Sequence, residues 1–517
     1  MAVSQWRGRR QVAPRSLALT GFAGWRTWRY LPHLILFCLL FVTYSYTPPR
    51  WQDWNQNSRL DLTLALVEQG TVQIDRYAEN TGDYATIGAH RYSDKAPGLS
   101  LLAVPVYAVV RELQPYGLGQ LTQRLGSGSG FASTLNPQGA GLSNERLDLA
   151  VSLYLITILT VGLGAAALGV LIALVVERLW GCRTAGLLTA LIFGLATPIF
   201  PYAQAFYGHL PTAVCLFAAF ALLVLRPAAP LSAGRLIALG ALCGLAVVIE
   251  YPAALTAVPI VVWATLLARG RAVVFGVLGA LPPLAALALY DLAAFGTPLP
   301  VGYAHSTLWQ TQHQQGFLSL TYPKWEAIWG LTFSPFRGLF FLAPVLLFTL
   351  VGVWFALRDR AGRPATIVAL LGFGLTIAFA ASSAMWWGGF AVGPRYILPG
   401  LPFLAVPFGA LIAWCNEQRL ATRLSGLGSI ALLAALSLAL VWATTFAHQS
   451  YPPDTLRDPL RDYVWPALRD GDIARNLGMA LHLHGLASLL PLCGALLLGV
   501  VALAATLRPV VTEEVGA

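Results

Sequence analysis

Lysine is almost missing from this chain, which carries only Lys95 and Lys324 in 517 residues. Charge of either sign is sparse: Asp, Glu, Lys and Arg make up 11% of the residues, against roughly 25% in a soluble globular domain. Hydrophobic residues make up 57% and the mean hydropathy is +0.65. Such a composition excludes a soluble globular fold and reads as an integral membrane protein. Six cysteines are present. Cys38, Cys215, Cys243 and Cys493 sit in apolar runs, with Cys182 and Cys415 at the ends of others, so neither a disulfide framework nor a cysteine metal site is indicated. The Walker P-loop, HExxH and GxSxG patterns are absent too, and no repeat of fixed period occurs. The single Asp-x-Asp, Asp470-Gly471-Asp472, lies in the last external segment, away from any cytoplasmic nucleotide pool.

What the chain does have is apolar runs of membrane-spanning length. They lie near 30–47, 147–176, 184–201, 209–226, 235–250, 252–268, 272–296, 338–357, 364–382, 396–415, 424–446 and 485–507; a span needs about 20 apolar residues. The net charge of +10 does not point to nucleic acid, because the basic residues fall in short loops between these runs. The segment Leu99 to Val110 has 12 residues, about 18 Å of helix, against a hydrocarbon core of roughly 30 Å. If it spans, every later basic loop lies outside. If it does not, 18 of the 33 basic residues fall on one side: the six N-terminal arginines and twelve in later loops and the C-terminal tail. The positive-inside bias selects the second arrangement.

The expected fold is therefore an all-α polytopic membrane protein with about twelve spans. Residues 1–29 and 508–517 are cytoplasmic tails flanking a transmembrane domain over 30–507, and 48–146 is one long external loop. Arg7, Arg9, Arg10 and Arg15 stand too far ahead of the first run for a cleaved signal, and no A-x-A-like site follows it, so an uncleaved anchor is expected. Residues 125–141 are Gly/Ser/Asn-rich and read as mobile.

The charges that the spans avoid gather in this loop. Asp53, Asp61, Asp75, Asp83 and Asp94 stand there with Lys95. Over 58–69 (SRLDLTLALVEQ) the composition predicts a short amphipathic helix lying on the membrane, with Ser58 and Asp61 as a capping box; Asp61 reads first as a helix cap. Asp75 and Asp83 flank a polar turn, and GAHRYSDKAPG brings His90, Tyr92, Asp94 and Lys95 ahead of a Pro-Gly turn. Lys95 reads either as a phosphate-binding point charge or as a lysine snorkelling to the headgroups. Further ionisable residues mark external span ends: His209, Glu250, Asp291, Arg337 and Arg395. Such positions are costly and mark functional cavities, although Glu250 also fits a structural pair with an arginine and His209 a hydrogen-bonded structural role.

A first helix followed by a long external loop with an amphipathic helix, acids and a Lys-x-Pro turn, then many spans, resembles the GT-C superfamily of membrane glycosyltransferases. The likeness is to the bacterial relatives of protein O-mannosyltransferases and of the lipid A aminoarabinose transferase. It is carried by NQNSRLDLTLALVEQGT (55–71), YSDKAPG (92–98), FGTPLPVGYAH (295–305), SPFRGLF (334–340) and WWGGFAVGPRYILPGLPF (386–403). The resemblance implies an enzyme of the cell (inner) membrane that moves a hexose or pentose from a polyprenyl-phosphate carrier to an external acceptor hydroxyl, with inversion. The acceptor, whether protein, lipid or polysaccharide, is not written in the residues. The partners implied are the lipid-linked donor and membrane lipids. No cofactor is required beyond that donor, though a divalent cation held by loop carboxylates is compatible. The chain departs from the family where an Asp-Glu pair opens the loop, since Asn55-Gln56 stands there ahead of Arg59. The lysine of the family's turn carries over to Lys95.

A phosphate leaving group needs no general acid. It needs a carboxylate to take the acceptor proton and cations to meet the departing charge. Asp75 and Asp83 are the candidate bases. Lys95, Arg59 and Arg395 are placed around the phosphate, and His90, Tyr92 and Glu250 complete the binding set. The competing reading is a multi-pass transporter or flippase for a lipid-linked or small polar solute. It is disfavoured by the lack of the repeated halves common in transporters and by the acidic loop.

Overall fold

The computed structural model describes residues 24–50, 53–117, 119–120, 147–226, 230–299, 302–308 and 320–507. The glycine-rich stretch 125–141, both expected tails beyond these limits and Arg508 lie outside the described residues.

The described chain is helical apart from one two-stranded hairpin. We number the principal helices α1 (Gly24–Tyr44), α2 (Trp54–Glu68), α3 (Gly98–Leu113), α4 (Leu147–Trp180), α5 (Arg183–Leu195), α6 (His209–Val224), α7 (Ala233–Ile249), α8 (Ala253–Ala268) and α9 (Gly270–Phe295). They continue with α10 (Trp325–Thr332), α11 (Pro344–Arg358), α12 (Arg363–Ser382), α13 (Arg395–Asn416), α14 (Leu420–Phe446) and α15 (Gly485–Thr506). Among the described residues six of these are long and apolar enough to cross a membrane (α4, α9, α12, α13, α14 and α15), and α1, α5, α6, α7, α8 and α11 supply shorter apolar helices. Every apolar run of the sequence thus falls on one helix or on a helix with a short continuation. The run at 184–201, for instance, is α5 followed by the turn Ile199–Ala203.

Hydrophobic burial against lipid tails gives helices little reason to associate, so close contact depends on small residues. Helices α7 and α9 run parallel and touch along such a seam. A Cβ on Gly240 would strike the main chain of Gly276, and one on Gly279 would strike that of Ile237.

Three features differ from expectation. Helix α2 forms, but it starts at Trp54 with Asp53 as its N-cap, ahead of the Ser58 to Asp61 box. Residues Gln56 to Ala65 are all buried, so it is an enclosed helix, not one lying with a polar face in water. Asp61 is consequently not the N-cap of α2: it sits inside the helix and accepts a hydrogen bond from the Asn80 side chain at 3.1 Å. The turn around Asp83 opens into a hairpin, β1 (Tyr84–Ile87) and β2 (His90–Ser93), closed at Gly88 with φ +60°. Helix α3 extends the Leu99 to Val110 segment at both ends and packs on α2, α4 and α7.

Candidate active site

The segments expected on the external side meet in one place. They are the start of α2, the hairpin, the turn before α3, residues 202–209, the α7–α8 break, residues 302–308, and the start of α13.

At the centre, the Lys95 ammonium lies 3.0 Å from Asp83 and 3.1 Å from Asp94. All three residues are at least nine-tenths buried. Ser306 donates to the other oxygen of Asp94 at 2.9 Å. Burial works against the Lys95 charge, but the two carboxylates outweigh it and raise its pKa above the ordinary lysine value. Burial also raises the Asp94 carboxyl, Lys95 pulling it back and Asp83 pushing it up again. Lys95 is therefore a fixed cation in an enclosed setting, not a snorkelling one.

The turn is bolted down by α2. Ser58 and Ser93 share a hydroxyl hydrogen bond of 2.9 Å. Ser100 donates to the Arg59 carbonyl at 2.8 Å, and Tyr290 donates to the Ser93 carbonyl at 3.3 Å. Arg59, 1% exposed, donates to the Ala96 carbonyl at 3.1 Å and to Glu250 at 2.7 Å. His209 Nδ1 lies 3.6 Å from the same Glu250 oxygen. The sequence alternative of a carboxylate paired with an arginine thus describes Glu250.

A second group stands beside this one. Asp53 accepts from the amides of Asn55 and Gln56 at 3.0 and 3.3 Å, capping α2, and Tyr207 donates a short hydrogen bond to its other oxygen. Burial raises the Asp53 carboxyl, while the Tyr207 hydrogen bond and the nearby Arg395 oppose the rise. The Arg395 guanidinium lies over the rings of Tyr207 and Tyr396 at 5.2 and 5.3 Å, has no ion-pair partner among the described residues, and leaves its buried Nε unpartnered. Gln56, one of the residues standing where the family has acids, is structural. Its side chain donates to the Arg50 carbonyl at 2.9 Å and accepts from the Phe206 amide at 2.8 Å.

Of the sequence candidates, then, Asp83, Lys95, Arg59, Glu250 and Arg395 converge. Asp75 and His90 do not join them: they pair with each other at 2.8 Å on the outer hairpin, 40% and 50% exposed. The slight burial of Asp75 is outweighed by the His90 and Arg91 hydrogen bonds, which hold its carboxyl below the usual range. Tyr92 is a core residue under the hairpin, its ring 5.9 Å from that of Phe295. Arg337 is spent on the carbonyls of Trp387, Phe336 and Gly389. Asp291 is fully buried with both oxygens unpartnered. Sequence reasoning missed Tyr207 and Ser306, because a tyrosine or serine beside an apolar run looks like any interfacial residue.

Among the described residues no group of three or more His, Cys, Asp or Glu side chains converges as a metal site. Asp83 and Asp94 share Lys95, which occupies the space between them that a divalent ion would need, so these residues do not fit a metal.

No family model matches the chain, and no curated protein matches it. Among solved structures it is similar to ArnT from Cupriavidus metallidurans in the apo state, at 17% identity and a TM-score of 0.47, over 94% of this chain and 76% of that one. It is similar to the same protein bound to undecaprenyl phosphate at 18% identity and a TM-score of 0.46, over 94% and 75%. The oligosaccharyltransferase of Archaeoglobus fulgidus follows at 11% identity and a TM-score of 0.41, over 81% and 56%. Likenesses of this extent assign neither residues nor chemistry to the site.

Proposed function

We propose that the protein is an integral membrane glycosyltransferase that moves a hexose or pentose from a polyprenyl-phosphate carrier to an acceptor hydroxyl on the external face, with inversion. The observation that carries the reading is the buried Asp83–Lys95–Asp94 cluster, with unpaired Arg395 in the same converging group of segments. The enclosed carboxylate supplies a base for the acceptor proton, and Arg395, which has no ion-pair partner among the described residues, supplies a cation for the departing phosphate.

In this reading the acceptor oxygen attacks the anomeric carbon as its proton passes to Asp83. The bond from that carbon to the phosphate oxygen breaks, and its electron pair leaves with the phosphate. Arg395 and Lys95 face the charge that grows there. Asp83 is assigned as the base because it is enclosed in the converging group of segments, while Asp75 is engaged with His90 on the exposed side.

The test is a comparison of Asp83→Asn and Asp75→Asn in a sugar-transfer assay. The expected result is a loss of about 10²-fold or more for Asp83→Asn, the scale of general-base removal, with Asp75→Asn close to wild type. Full transfer by Asp83→Asn would remove the base assignment.

A further inference from the structure

The Lys95 turn owes its position to a residue far along the chain. Glu250 ends α7 at the break Glu250-Tyr251-Pro252, where Pro252 caps α8. Its carboxylate, 5% exposed, lies 2.7 Å from Arg59, and the same guanidinium donates to the Ala96 carbonyl, directly after Lys95. Two glycines keep this junction closed. A Cβ on Gly98 would stand 2.6 Å from the main chain of Val248 and Ile249, and one on Gly208 would strike the Glu250 carboxylate. No direct contact between Glu250 and Lys95 is needed, since Arg59 spans the distance.

We propose that Glu250 is a positioning residue: through Arg59 it holds the main chain of residues 94–97, so that the Lys95 ammonium stays between Asp83 and Asp94. Glu250 does not touch the substrate. The activity arm of the test rests on the glycosyltransferase reading; the structural arm does not. An ion pair this deeply buried is costly to break from one side, so loss of either partner frees the turn, and loss of both adds little.

The scarcity of lysine supplies a readout independent of activity. With Lys95 and Lys324 the only lysines of the chain, the ratio of their modification by acetic acid N-hydroxysuccinimide ester, read by mass spectrometry on the full-length protein in lipid, reports how firmly Lys95 is held. Lys324, at the N-cap of α10, is the internal reference. The variants are Glu250→Gln, Arg59→Gln, their double, Glu250→Asp, and Glu68→Gln as a control for general loosening of α2. Glu68 accepts from Tyr77 and Tyr107 at the far end of that helix, at 2.6 and 2.5 Å.

Each single Gln variant at the pair should raise the Lys95 to Lys324 ratio about fivefold or more, and the double should match the larger single, as coupled residues do. Glu250→Asp and Glu68→Gln should stay near wild type. In transfer assays Glu250→Gln should lower kcat about tenfold or more with KM within about threefold, the pattern of a group acting on the reacting arrangement and not on uniform binding. An unchanged labelling ratio in Glu250→Gln, or single effects that multiply in the double, overturns the proposal. A risen ratio in a protein whose wild type transfers no sugar upholds the positioning role and removes the reading of the reaction. Should Glu250→Gln fail to fold, retention of the low ratio by Glu250→Asp and its rise in Arg59→Gln decide the matter.

Discussion

A Cβ placed on Gly388 would stand 2.9 Å from Nε of Arg395 and 3.1 Å from its Cγ, and the backbone there has φ +73°. The glycine-rich loop before α13 is thus shaped around the Arg395 guanidinium. Gly389, also at positive φ (+64°), has open space where its Cβ would be. Both positions disfavour a side chain, by roughly 1–2 kcal/mol, but only at Gly388 would a Cβ also strike Arg395. Gly388→Ala is expected to weaken apparent affinity for the lipid-linked donor about tenfold, while Gly389→Ala leaves it within about twofold; each 1.4 kcal/mol is a factor of ten. Measured KM values for the donor check this. Equal effects at the two glycines would mean that only backbone strain is being read.

The pair Asp75–His90 gives a pH-dependent signature. Its carboxyl is held below the usual range in the folded protein, so it contributes stability that is present above the unfolded value of about 3.9 and is lost as pH falls through the lower folded value. With Asp75 40% exposed, the contribution is that of a surface pair, about 1 kcal/mol or less. The Tm difference between wild type and Asp75→Asn should be positive near pH 6 and shrink as pH falls below about 4. A difference that grows in acid would contradict the assignment.

Asp291 should be a site of gain. It is 0% exposed and neither carboxylate oxygen has a partner, and an isolated buried carboxylate costs more than an apolar residue of similar volume. Asp291→Leu is expected to raise stability by about 1–3 kcal/mol, the desolvation cost of an unsatisfied buried polar group. A thermal melt of the purified protein in lipid reads it directly. A lowered Tm would show that the fold depends on the carboxylate.

Because Lys95 already stands between Asp83 and Asp94, chelation should leave transfer unchanged. Assaying initial rates with and without excess EDTA checks this, and a loss restored by a divalent cation would contradict the account.

The helical scaffold was legible because hydrocarbon thickness sets the length of an apolar run. The run at 272–296, for example, is α9 within two residues at each end. Lys95 and Asp83 were legible for the opposite reason, as charges in a chain that avoids them. The enclosure of α2 was not, because polar residues such as Gln56, Asn57, Ser58 and Arg59 are buried only when distant partners meet them, here Phe206, Asn80, Ser93 and Glu250. Nor could the sequence separate Asp75 from Asp83. Both flank one polar turn, and only the hairpin's fold sends one outward to His90 and the other inward to Lys95.

The most direct test is incubation of the purified wild-type protein in lipid with a panel of labelled polyprenyl-phosphate sugars and candidate acceptors. The account predicts release of free polyprenyl phosphate in step with sugar transfer. Movement of the lipid-linked sugar across the bilayer with the sugar–phosphate bond intact would contradict it.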